Sequence, residues 1–300
     1  MGLQFAVLAS GSRGNASLIR SKSGQGLVID CGLGARDLTR RLEEVGASWD
    51  ALRAVLLTHT HGDHVTIAAL SKLVEHRIAF YCHEGHRPNL SRFDSFHRLD
   101  SAGLVRTYDD RPFLAPCGFR VEPIELSHDG GPTFGFRVEA KGDRRSRPST
   151  VGYLTDSGTW NNRIADALAE VDLLGVEFNH DVDLQRDSGR DPWTIARNLG
   201  PLGHLSNDQG AALVSAVFER SQTRAPRHLV LLHISEQCNQ TSIALKTARL
   251  AVRNSGRSAT VHIGQQGYPS PNLIVRPGRG NSMGKLREIQ ARQEMLSLPF

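Results

Sequence analysis

Cysteines are few, aromatic residues are few, and no long apolar run occurs anywhere in the 300 residues. Each shortage excludes something. The four cysteines, Cys31, Cys82, Cys117 and Cys238, are widely scattered and form no metal-type pair, which leaves neither a cysteine-based metal site nor a disulfide framework. They read as small buried groups of a reduced, cytoplasmic protein. No apolar stretch approaches the roughly 20 residues needed to cross a bilayer, so no membrane partner is expected. The segment Leu3 to Ser10 has no basic leader and too short an apolar run for a secretory signal, and reads as a first strand. The loop that follows, Ser10-Gly11-Ser12-Arg13-Gly14-Asn15-Ala16-Ser17, lacks the Gly-Lys-Ser/Thr ending of a phosphate-binding loop. Its Ser, Asn and Arg side chains can still donate to an anion, which makes Ser12 and Asn15 candidate substrate contacts. Neither an internal repeat nor a low-complexity linker is visible.

What is present is ordinary in bulk and unusual in one place. Hydrophobic residues make up 39% and charged residues 22% of the chain, as in globular proteins generally. The formal charge of +5 favours acidic partners, nucleic acid among them. Basic residues gather at Arg144, Arg145 and Arg147, and again at Arg276, Arg279, Lys285, Arg287 and Arg292. The unusual place is Thr58-His59-Thr60-His61-Gly62-Asp63-His64, directly after the apolar run Ala54-Val55-Leu56-Leu57. A strand ending there presents His59 and His61 on one side, and Gly62 lets the chain turn so that Asp63 and His64 reach another point. Imidazole with carboxylate suits zinc, manganese or iron.

Five further apolar runs end in a residue able to bind or orient a metal: at Asp30, His128, Asp156, Glu177 and His233. Short runs of this kind suit buried strands, and their endings are expected to converge on one edge of a sheet. Helical periodicity is visible over residues 35–44, 67–74, 164–169, 208–218 and 243–252, and Ser206 with Gln209 has the form of a capping box. Strands alternating with helices indicate an α/β fold. The rhythm is lost after Pro269, so a domain over residues 1–268 followed by a basic C-terminal extension, 269–300, is expected.

The His-x-His-x-Asp-His stretch resembles the signature of the metallo-β-lactamase superfamily. That resemblance implies an αββα sandwich, two mixed β-sheets packed face to face and flanked by helices, carrying two divalent ions, zinc or manganese ahead of iron. It further implies that His59, His61 and His128 hold one metal and Asp63, His64 and His233 the other. Asp156 would bridge them, and Asp30 would orient the histidine loop. A carboxylate at 156, where secreted β-lactamases carry cysteine, favours the branches that cleave phosphodiesters or thioesters. Glu177-Phe178-Asn179-His180-Asp181, Gly203-His204-Leu205-Ser206-Asn207 and His233-Ile234-Ser235-Glu236 resemble ribonuclease Z and, more nearly, the YycJ/WalJ-like exonucleases.

On this resemblance Asp63, Glu177 and His204 are the catalytic residues. A hydroxide shared by the metals attacks the phosphodiester, Asp63 orients it, and His204, held by Glu177, protonates the departing oxygen. His180, Ser206 and Ser235 join the candidate substrate contacts, while His76, His83, His86, His97, His228 and His262 read as packing or surface residues. The expectation is a nucleic-acid exonuclease, with DNA ahead of RNA as substrate. The rivals are a small-molecule hydrolase of the same fold (thioester, lactone or cyclic phosphodiester) and a non-catalytic module with a structural metal.

Overall fold

A computed structural model describes residues 2–140 and 147–276. Arg144 and Arg145, and all of the C-terminal basic group except Arg276, lie outside the described residues. The chain forms two seven-stranded sheets. The first contains β1 (Leu3–Ala9), β2 (Ala16–Arg20), β3 (Gly26–Ile29), β4 (Leu52–Leu56), β5 (Ala79–His83) and β6 (Val105–Tyr108). The second contains β7 (Phe113–Ala115), β8 (Phe119–Leu126), β9 (Thr133–Ala140), β10 (Ser149–Leu154), β11 (Leu173–Glu177), β12 (His228–Leu232) and β13 (Thr260–Ile263). A last strand, β14 (Leu273–Val275), returns to the first sheet and pairs antiparallel with β1. The expected extension therefore begins with an edge strand, whose Leu273 and Val275 are buried.

Both sheets are mixed, and both are built the same way. From β1 to β3 the pairing is antiparallel, and from β3 to β6 it is parallel. From β7 to β10 it is antiparallel, and from β10 to β13 parallel. The apolar runs lack polar alternation because both faces of each sheet are covered. In β12, Val230 and Leu232 enter the core between the sheets, while Leu229 and Leu231 face the outer helices. In β3, Leu27 and Ile29 point inward and Val28 outward. Helices Ala35–Glu44, Ile67–Glu75 and Asp94–Ser101 cover the first sheet, and Asn162–Ala167, Asn207–Arg220 and Thr241–Asn254 the second. The result is the αββα sandwich.

The helices keep their expected places with shifted ends. The helix read over 164–169 starts earlier because the Asn161 side chain accepts from the Ile164 N–H, and it ends at Ala167, ahead of Glu170 at φ 58°. The capping box forms: Ser206 Oγ accepts from the Gln209 N–H, and Gln209 Oε1 accepts from the Ser206 N–H. Among the described residues no helix is long and apolar enough to cross a membrane.

Candidate metal centre

Six strand ends deliver the candidate side chains to one edge of the sandwich. β3 leads into Asp30, β4 through Leu57 and Thr58 into His59, β8 into His128, β10 into Asp156 and β12 into His233, while β11 ends on Glu177 itself. Three of these residues have left-handed backbones: Asp30 at φ 62°, Asp156 at φ 57° and His233 at φ 53°. Such conformations cost roughly 1–3 kcal/mol each and persist only where the surroundings impose them. Asp30 and Asp156 hold equivalent places, each closing the strand at which antiparallel pairing gives way to parallel. Close backbone approach fixes the histidine loop from below. A Cβ on Gly32 would sit 1.7 Å from the Asp63 carbonyl oxygen, and one on Gly130 would meet the His59 ring at 2.4 Å.

The side chains form two adjoining groups. His59, His61 and His128 bring one ligand atom each within 4.8 Å of one another, as do Asp63, His64 and His233. Asp156 lies between them, with Oδ2 3.2 Å from His64 Nε2 and Oδ1 4.0 Å from His128 Nε2. Four of the five rings are oriented through their Nδ1 atoms. His128 Nδ1–H donates to the Gly203 carbonyl (2.9 Å), His64 Nδ1–H to Asp30 Oδ2 (2.8 Å), and His233 Nδ1–H to Glu177 Oε1 (3.1 Å). Thr58, whose N–H and hydroxyl both reach Asp30 Oδ1, lies 3.1 Å from His59 Nδ1. The Nε2 atoms of His59 and His233 are buried without a hydrogen-bond partner. Buried ring nitrogens left bare, beside two buried or half-buried carboxylates, fit a pair of divalent cations.

Proton occupancy divides the histidines. Burial lowers His59 well below the ordinary value, and lowers His61 and His128 as well. Burial acts the same way on His64 and His233, but the carboxylates around them outweigh it. Asp156 and Asp30 raise His64 well above the ordinary value, and Asp156, Asp63 and Glu177 raise His233 to about 10. Glu177 is fully buried, which by itself would raise its carboxyl; His204 and His233 hold it down to about 2. Its Oε1 accepts from His204 Nδ1–H at 2.8 Å, and its Oε2 accepts from the Ser157 and Leu205 N–H groups.

The candidate substrate contacts separate. Ser12 is exposed on its loop. Asn15 is fully buried, with its Nδ2 3.3 Å from Asp63 Oδ2 and 3.0 Å from His64 Nε2, so it braces the cluster from within. Ser206 Oγ is engaged in its helix cap, and Ser235 Oγ accepts from the Cys238 N–H. His180 is buried, and its Nδ1 has no partner. Of the remaining histidines, His83 and His86 close a capping box of their own, and His228 pairs with His262.

The sequence reading passed over Asp129, Arg197 and Asn179. Asp129 Oδ1 lies 3.5 Å from His128 Nε2 and 3.8 Å from His61 Nε2. The Arg197 guanidinium grips this carboxylate at two points, 2.6 Å each. Asn179 Nδ2 donates to the His233 carbonyl at 2.8 Å. The position of Asp129, directly after a candidate ligand, and that of Asn179, inside the Glu177 motif, are the signals the sequence offers.

Comparison with known proteins agrees with this fold. The chain is 28% identical over 257 residues, 82% of its length and 87% of the relative's, to an exodeoxyribonuclease WalJ of Streptococcus pneumoniae. It is 26% identical over 268 residues, 85% of its length and 91% of the relative's, to an exodeoxyribonuclease YycJ of Bacillus anthracis. In fold it is similar to the metallo-β-lactamase fold protein YhfI of Bacillus subtilis, with a TM-score of 0.61 at 18% identity over 90% of this chain and 100% of that one. It is also similar to the short form of human tRNase Z, with a TM-score of 0.56 at 18% identity over 92% of this chain and 100% of that one. Residues 26–234 match the Beta-lactamase superfamily domain, most of the sandwich and every strand end described above from Asp30 to His233. The chain belongs to the β-lactamase superfamily.

Proposed function

We propose that the protein is a dinuclear metal-dependent phosphodiesterase that shortens nucleic-acid strands, DNA ahead of RNA, as an exonuclease. The observation that carries this reading is the Glu177–His204 pair beside the metal-type cluster. An acid held this firmly suits an alkoxide leaving group, such as a nucleotide oxygen, and has little use in thioester cleavage. The exodeoxyribonuclease relatives support the substrate class. Four free thiols, three of them buried, suit a reducing compartment, and the cytoplasm is the location we assign.

His59, His61 and His128 would hold one ion and Asp63, His64 and His233 the other, with Asp156 shared; zinc or manganese fits this donor set best and iron next. When bound, such a pair supplies positive charge at the phosphate and a water acidified toward neutral pH. The chain's own residues do the rest. Asp63, partly buried, orients the attacking water. Glu177 keeps His204 Nδ1 protonated and leaves Nε2 to carry a proton to the departing oxygen. Asp30 and Thr58 hold the histidine loop rigid, so that little reorganisation accompanies the reaction.

The test is His204→Ala. Both metals should stay, since His204 is not among the assigned ligands. The rate should fall by roughly 10²–10⁴-fold on end-labelled DNA, and far less on a bis-aryl phosphodiester whose phenolate leaves unaided. Glu177→Gln should follow the same pattern more mildly. Equal losses on both substrates would make His204 a positioning residue, and metal loss would overturn the ligand assignment. A thioester cleaved faster than any nucleic acid would replace this reading with the small-molecule one.

A further inference from the structure

The helix Pro192–Leu199 carries Trp193, which at 74% exposure is the most exposed aromatic side chain among the described residues. Its ring stacks on nothing, and its indole N–H has no acceptor, among those residues. A lone exposed ring is unremarkable by itself. Its location is not. Arg197, four residues on, lies on the same face of the helix, and it is Arg197 that grips Asp129 beside His61 and His128. Just ahead of the helix, the Arg190 side chain donates to Gln237 Oε1, in the loop that follows His233. The segment is thus tied across the mouth of the cluster at two points. That mouth is open here, with the His61 side chain 35% and the Asp129 side chain 33% exposed. The Asp191 cap and Pro192 in the first turn make the mount rigid. Beyond the helix the chain runs through Gly200–Gly203 into His204, the acid assigned to the departing oxygen.

We propose that Trp193 is a stacking platform for an unpaired base of the strand being cut, on the leaving-group side of the scissile phosphate. The inference rests on the phosphodiesterase reading above and narrows its substrate to single-stranded or frayed ends. A rigid, exposed indole on the helix whose Arg197 grips Asp129 at the cluster offers what a nucleobase needs, a flat face one helical turn from that anchor. The charges around it are mixed, with Asp183 and Asp187 beside Arg186 and Arg190, so stacking and not a basic patch would hold the strand.

The experiment uses the metal-loaded protein and single-stranded oligodeoxythymidylate with phosphorothioate linkages, beside an abasic strand of the same length and charge. Tryptophan emission should be quenched by the thymidylate strand and scarcely by the abasic one. Trp193→Ala should bind the thymidylate strand about tenfold more weakly and the abasic strand as the unaltered protein does, within the range given by one stacked base. The salt dependence of binding should not change, because no charge is lost. Trp193→Phe should recover most of the affinity. Unaltered thymidylate binding in Trp193→Ala, or equal binding of both strands by the unaltered protein, overturns the proposal while leaving the nuclease reading intact. Failure to bind any oligonucleotide overturns both. An oligomer that dissociates in Trp193→Ala with strand binding preserved would show the ring to be a subunit contact, and would also overturn it.

Discussion

Buried carboxylates decide which histidines of the cluster carry protons. Asp30, Asp156 and Glu177 each face a ring nitrogen, and the two rings they surround, His64 and His233, are raised while His59, His61 and His128 are lowered. A ligating imidazole must be neutral, so metal uptake displaces whatever proton the ring holds. Near pH 7.5 the first group is already neutral, and Asp63 and Asp156 are already ionised. Loading both sites should therefore release at least two protons per chain, one from His64 and one from His233, besides the one an acidified water gives up. Calorimetric titration of zinc in buffers of different ionisation heat measures this, and the second group's affinity should climb with pH while the first group's barely moves. Release of no more than the water's proton would mean that the carboxylates do not set the imidazole charge. At the same scale, His61→Ala and Asp156→Ala should lower bound metal and abolish hydrolysis in a folded protein, because both side chains lie beyond strand ends. Two metals per chain in Asp156→Ala by elemental analysis would remove its shared position.

At the scale of elements, the site exists because strands stop at the same level and the chain turns sharply beyond them. The turn after β3 brings Gly32 against the Asp63 carbonyl, so the backbone of one loop serves as the floor of the other. Asn15 seals the contact, donating to that carbonyl from its backbone N–H at 2.7 Å. Gly32→Ala cannot be absorbed by a side chain moving aside, since its Cβ meets backbone. Displacement of Asp63 and His64 should follow, with the metal content of the second group reduced while the far-ultraviolet spectrum stays near that of the unaltered protein. Full metal content in this variant would mean that the loop has more room than its packing shows. The helix cap at Ser206 is another element-level joint, two residues past His204. Ser206→Ala should cost about 1 kcal/mol of stability, read as a lower melting temperature.

For the whole molecule, the two sheets repeat one plan with unrelated sequences, and the active edge lies where both plans present their strand ends. The C-terminal segment belongs partly to this body. Ser270 exchanges hydrogen bonds with Val7, its N–H donating to the Val7 carbonyl and its Oγ accepting from the Val7 N–H, and β14 buries Leu273 and Val275 against the core. Deleting residues 270–300 should accordingly destabilise the fold by about 3 kcal/mol or more, from the loss of two buried aliphatic side chains and an edge strand. Deleting only 277–300 removes Arg279, Lys285, Arg287 and Arg292, so it should weaken polyanion binding and flatten its salt dependence while hydrolysis of a small phosphodiester persists. An unchanged salt slope would make those residues ordinary surface charge.

The sequence by itself determined the fold class, the strand ends and the seven metal-type side chains at them. All of this is local information: an apolar run makes a buried strand, and the residue that follows it stands at the strand's mouth. The order of the motifs then carried the resemblance that brought Glu177 and His204 together across 27 positions, a contact of 2.8 Å that no periodicity encodes. Tertiary structure alone decided the rest. Asn15 reads as a loop donor and proves to be a buried brace, because the first turn folds under residue 63. Arg197, which nothing in the local pattern singles out, pairs with Asp129 across 68 positions. Leu273–Val275 reads as the start of a tail, and closes the sheet beside β1. In each case the partner is far away in the chain, and hydrophobic pattern specifies which face a residue shows but not which distant residue meets it.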